Sequence, residues 1–120
     1  ARDEALAALK RIGAKSDAFL AGFGLRRDGA RYAVESNSEA QAAVVCHLGF
    51  GMTWLSHLLR IPLDTVWSGF WFSPASVTAV LFEKRSDQFA VPRLVSFGDI
   101  AHLYGTGLEH NTRGLRGNLK

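Results

Sequence analysis

Apolar and polar positions alternate along this chain in distinct rhythms, and each rhythm predicts an element. Over residues 2–21, Leu6, Leu9, Ile12, Phe19 and Leu20 recur at helical spacing, the stripe of an amphipathic helix. Asp3 and Glu4 lie near its positive end, where the helix dipole favours them, and Gly22 and Gly24 are stop signals. Leu25 to Ser38 is polar. Its Asp28-Gly29 turn signal predicts a small hairpin with arms at Leu25 and at Tyr32-Ala33-Val34. Asn37-Ser38-Glu39 is read as a loop. Ala42-Ala43-Val44-Val45-Cys46 is a continuous apolar run, which predicts a central strand of a parallel sheet. The hinge His47-Leu48-Gly49-Phe50-Gly51 follows, then a helix apolar on most sides, with Phe50, Trp54 and Leu58 on one stripe and Met52, Leu55 and Leu59 nearby. Pro62 ends that helix.

Leu63 to Phe72 is rich in aromatic residues. It reads as a short helix or turn at the core edge, in preference to a pocket wall for an apolar leaving group. Ser76 to Glu83 is a strand, Lys84 to Asp87 a polar turn, and Phe89 to Phe97 a second strand, together an antiparallel hairpin. Pro92 predicts that the second strand lies at an edge. Gly98 to Tyr104 is a compact polar loop. Residues 105–120, rich in glycine and asparagine, are expected to be a flexible tail. The order of elements is α/β in character, with fewer strands than a doubly wound domain needs.

Composition narrows the function classes. The chain has 120 residues, 48% of them hydrophobic and 21% charged, enough for one small domain. Its net charge is +3, with loose basic clusters at Arg26, Arg27 and Arg31 and at Arg113, Arg116 and Lys120. No reading motif accompanies those charges, so nucleic acid is not an expected partner. Cys46 is the only cysteine, which suits a reducing, cytoplasmic setting. No apolar run approaches the ~20 residues of a membrane span, and no membrane partner is expected. Ala1 opens directly on a helical pattern without Met or leader, and is read as a cut end.

Most chemistries fail on spacing. Cys46 and His47 are adjacent, so on a strand they face opposite ways and cannot act as a Cys–His pair. No arginine follows Cys46 at the distance a cysteine-phosphatase loop requires. The hinge holds no serine for a nucleophile elbow, and Trp54 stands where a dinucleotide fingerprint needs its third glycine. His47, His57, His102 and His110 lack zinc-ligand spacing, and neither a metal nor an organic cofactor is expected. His57 reads as a core or edge histidine, His102 as a loop-pinning partner of Asp99, and His110 as solvated. His47 remains, at the junction of an expected strand and helix, where α/β folds bind ligands and free helix amides favour an anion. Taken alone, a histidine there is more often structural.

The stretch VVCHLGFGMTWLSHLLRIPLDTVW, residues 44–67, resembles the second-histidine segment of the histidine phosphatase superfamily, the phosphoglycerate mutase-like proteins. SVTAVLFE (residues 76–83) is similar to that family's Ser-Val-Thr strand, and GDIAHLY (98–104) to its Asp-x-x-His-Leu ending. The resemblance covers about residues 30–104, with Ala1 to Phe23 fitting the preceding helix. It implies that residues 1–104 are the C-terminal half of a three-layer α/β/α domain, with a mixed sheet and a C-terminal antiparallel hairpin. It implies phosphomonoester hydrolysis through phosphohistidine on a small phosphorylated substrate. The carried-over role is that of His47 as the second phosphate-pocket histidine, assisted by the amides of Leu48 and Gly49. The chain holds no Arg-His-Gly, and Leu48 stands where the family has a glycine. The nucleophile half is therefore expected outside this chain, which alone is expected to be inactive and to self-associate through the surface left bare. The alternative is a non-catalytic, truncated or degenerate relative that binds an anion or a protein.

Overall fold

The first helix, α1 (Arg2–Ala21), buries Gly13, Ser16 and Leu20, spaced so that they share one side. That side meets α2 (Leu48–Leu59), and small residues let the two helices approach closely. A Cβ on Gly13 would lie 2.7 Å from Nδ1 of His57. Ser16 Oγ accepts from Trp54 Nε1 at 2.8 Å, and Asp17 Oδ1 lies 2.7 Å from His57 Nε2. The buried side is thus narrower than the apolar stripe suggests: Leu6 and Phe19 stay 46% and 41% exposed. This computed structural model describes residues 1–116.

Strands β1 (Leu25–Asp28) and β2 (Arg31–Val34) form the expected hairpin, closed by Gly29 and Ala30. Gly29 adopts φ 63°, a left-handed conformation that glycine enters without steric cost. Strands β3 (Val77–Lys84) and β4 (Phe89–Asp99) form the second hairpin, within about two residues of the ends read from sequence. All strands join one antiparallel sheet in the order β1-β2-β4-β3. The architecture is mixed α/β. One core gathers Leu20, Tyr32 and Leu58, with Trp54, Val80 and Phe82 packed against it. Tyr32 is fully buried, and its hydroxyl accepts from Arg27 Nη1 at 2.7 Å. The opposite face of the β3–β4 hairpin carries Leu81 and Val95, 51% and 59% exposed.

The structure corrects several expectations. Ala42–Cys46 forms no strand, and the described sheet has no parallel pair. Among the described residues, no backbone group of Ala42–Cys46 has a protein hydrogen-bond partner, and the segment is exposed. An apolar β-branched run has the side chains for a buried strand, but a strand also needs a neighbouring ladder. Pro92 lies on β4, which the strand order places between β2 and β3 rather than at an edge. However, β2 pairs only with Phe89 and Ala90, so from Val91 onward β4 has a neighbour on the β3 side alone. The proline is tolerated there because one side of the strand needs no donor.

The aromatic stretch begins as a short helix, α3 (Leu63–Gly69), with Val66 fully buried. Phe70 and Phe72 then pack edge-on against Phe97 at 5.8 and 5.5 Å, fixing α3 to the sheet. A short 3-10 turn, Ala101–Leu103, follows β4. Residues 105–116 form no helix or strand. Even so, Trp71 Nε1 donates to the Arg113 carbonyl at 3.1 Å, which brings this stretch back to the aromatic segment. Of the expected flexible tail, residues 117–120 lie outside the described residues. Among the described residues, no helix is long and apolar enough to cross a membrane.

Candidate functional site

His47 occupies the N-cap of α2, with extended backbone at φ −107° and ψ 164°. Its carbonyl accepts the first helical bond, from the Gly51 amide at 2.9 Å. Its side chain does not cap the helix, and no other side chain does. The amides of Leu48, Gly49 and Phe50 consequently have no acceptor among the described residues. This is the positive end of the helix dipole, where unsatisfied donors suit an anion. Gly51 serves close packing, since a Cβ there would lie 2.8 Å from the Phe72 ring, whereas one on Gly49 would make an ordinary contact with Trp67 at 3.6 Å. Trp67 is itself anchored by a bond from Nε1 to Thr53 Oγ1 at 3.3 Å.

An aromatic wall therefore flanks the start of α2. Much of Leu63–Phe72 packs at the core edge, as its sequence predicts. Trp67 nevertheless remains more than half exposed beside Gly49. Sequence reasoning missed the contribution of residues 110–114. His110 lies edge-on to Trp71 at 6.0 Å, and a Cβ on Gly114 would lie 3.3 Å from Trp71 Nε1 and 3.6 Å from Leu48 Cδ2. Glycine and asparagine content suggested mobility and carried no sign that this stretch returns to Trp71.

The remaining candidates disperse. Cys46 precedes His47 and is exposed as a residue, yet partial desolvation of its sulfur pushes the thiol pKa upward. It is therefore mostly protonated at neutral pH and a weak nucleophile. His57 sits at the far end of α2 and pairs with Asp17. His102 is exposed and has no hydrogen-bond partner among the described residues. Asp99 instead pins its loop by accepting from the Ala101 amide at 2.8 Å. The structure thus places His47, Leu48 and Gly49 together at one helix end, with His110 against Trp71 on its flank, and leaves His57 and His102 elsewhere. Among the described residues, no group of histidine, cysteine and carboxylate side chains could hold a metal ion. Comparison with protein-family models, with curated proteins and with solved structures finds no match for this chain.

Proposed function

We propose that this chain is the C-terminal part of a phosphomonoesterase that works through phosphohistidine, with His47 as the second histidine of the phosphate pocket. The observation that carries this reading is the uncapped start of α2. An exposed imidazole and three unpartnered amides stand together there beside an aromatic wall. A phosphoryl group carries spreading negative charge in its transition state, and fixed N–H donors stabilise that charge without reorganising. In this reading the Leu48, Gly49 and Phe50 amides hold non-bridging oxygens, and His47 donates to another. The nucleophilic histidine, its flanking arginine and the general acid would come from an Arg-His-Gly half that this chain does not carry. The three-layer fold belongs to the same proposal, with Ala42–Cys46 becoming a strand when that half supplies its ladder.

Leu48 favours a second reading, a non-catalytic relative that binds an anion or a protein partner. Its branched side chain stands where the resemblance implies a glycine, with Cδ2 3.6 Å from where a Gly114 Cβ would sit. Hydrolysis of p-nitrophenyl phosphate separates the two. The chain alone is expected to be silent, and a version extended upstream to the nearest Arg-His-Gly to be active. In the longer version, His47→Ala should reduce turnover by about 10²–10³, as expected for loss of a transition-state donor. Activity in the chain alone would overturn the split-site reading. Silence in both would select the binding reading.

A further inference from the structure

The C-terminal end of α2 borders an open groove of about 390 Å³, lined by Arg27, His57 and Arg60 and walled by Leu9, Pro62 and Leu63. Arg27 is locked in place by neutral acceptors only. Its Nε donates to the Gly29 carbonyl at 2.7 Å, and its Nη1 donates to Tyr32 Oη at 2.7 Å and to the Leu58 carbonyl at 3.4 Å. Arg60 approaches the same turn, with Nη1 3.9 Å from where a Gly29 Cβ would sit. Both guanidinium groups thus lie beside Gly29.

What sets this pair apart from the remaining arginines of the two hairpins is its charge balance. Arg26 pairs with Glu35, Arg31 with Asp28, and Arg85 and Arg93 share Glu83. Among the described residues neither Arg27 nor Arg60 has a carboxylate partner, and Arg60 has no hydrogen-bond acceptor at all. Of the carboxylates beside the groove residues, Asp17 is engaged by His57 and Asp28 by Arg31, while Asp64 Oδ1 accepts from the Thr65 amide. Cations commonly gather at helix C-termini to meet the last carbonyls. Arg27 does this through Leu58; Arg60 does not. Arg60 also adopts φ 55° and ψ 40°, a left-handed conformation that disfavours a side chain and favours glycine.

We propose that this groove is a binding site for a phosphate dianion, free or as a monoester, held by the guanidinium groups of Arg27 and Arg60. Guanidinium N–H pairs match the oxygens of a tetrahedral oxyanion, and the Leu9, Pro62 and Leu63 wall seats an organic body. The site lies a helix length from His47, about 18 Å for the residues of α2. It uses different residues and does not depend on the reading of His47.

The test is a titration of the isotopically labelled chain with inorganic phosphate, against chloride at matched ionic strength, followed by amide NMR. Saturable shifts at Gly29, Arg60 and Ile61 with phosphate, and none with chloride, are expected. Arg60→Gly removes the guanidinium while suiting the left-handed backbone. It should weaken those shifts at least about tenfold, as loss of charged hydrogen bonds implies, without lowering Tm. Arg60→Lys should retain part of the affinity. Equal responses to phosphate and chloride, or unchanged binding in Arg60→Gly, would overturn the proposal. Saturable shifts confined to His47–Phe50 would also overturn it, while leaving the reading of His47 standing.

Discussion

Tyr32 is the most tightly enclosed ionisable group in the core, and its burial has a pH signature. Desolvation raises its pKa above 10.0; the nearby Arg27 hydrogen bond and charge pull the other way, and Asp17 adds a smaller push upward. The folded state therefore holds the phenolic proton more tightly than the unfolded chain does. That contribution to stability is complete below pH ~10 and is lost as pH rises through the folded pKa. Denaturant unfolding followed from pH 8 to 11.5 should show stability falling above pH ~10. The fall should be shallower in Tyr32→Phe, which keeps the ring and removes the titrating proton. Parallel curves for the two proteins would sink this account.

Gly13 poses an opposite contest. In an isolated helix, Gly→Ala gains about 1 kcal/mol of helix propensity. Here the new methyl would sit 2.7 and 2.9 Å from two atoms of the His57 ring, which is held by Asp17 and cannot simply swing away. Overpacking of this kind costs about 1–3 kcal/mol, so Gly13→Ala should destabilise by about 1 kcal/mol net, read as a lower denaturation midpoint at constant slope. The apolar stripe of the sequence showed the helix but not this contact. A mid-helix glycine reads as a weak point until its partner helix is known.

At the scale of elements, legibility followed the range of the interactions concerned. The helices over 2–21 and 48–59 and both hairpins are local structures, written in periodicity and turn chemistry within short windows. The joining of those hairpins through Tyr32–Ala90 and Ala33–Phe89 is non-local and left no mark in the sequence. The Ala42–Cys46 segment shows the converse. Its side chains meet every local requirement of a buried strand, but the described sheet offers it no ladder, and it remains exposed with Val45 facing solvent. Pro92 was half legible. It marks a strand with an unpaired side, which holds from Val91 onward, while strand order depends on the short β2 beside it. At the candidate site, His47 and the free amides were legible as a strand-to-helix hinge even though the strand is absent, because the N-cap depends only on α2. The return of Arg113 to Trp71 was not, being a contact over 42 residues.

The whole molecule exposes more surface than its size requires. A compact monomer of 13.1 kDa should expose about 6,400 Å², whereas this chain exposes 8750 Å². Its radius of gyration is 15.8 Å against about 13.6 Å for a compact domain of this length. The extents of 48 × 39 × 20 Å describe a slab. Its exposed apolar side chains include Val44 and Val45 on the unpaired segment and Val77, Leu81 and Val95 on the β3–β4 hairpin. Beside them, β4 has backbone without a β2 neighbour beyond Ala90. Apolar surface and unpaired strand edges both favour association, the first by burial and the second by ladder completion. The chain is therefore expected to self-associate, with light scattering giving a mass that rises with concentration across the micromolar range. Val45→Asp and Val95→Lys should each shift the equilibrium toward monomer, since a charge on either patch must be desolvated for the surfaces to meet. A concentration-independent monomer would show that this surface is tolerated by the isolated chain.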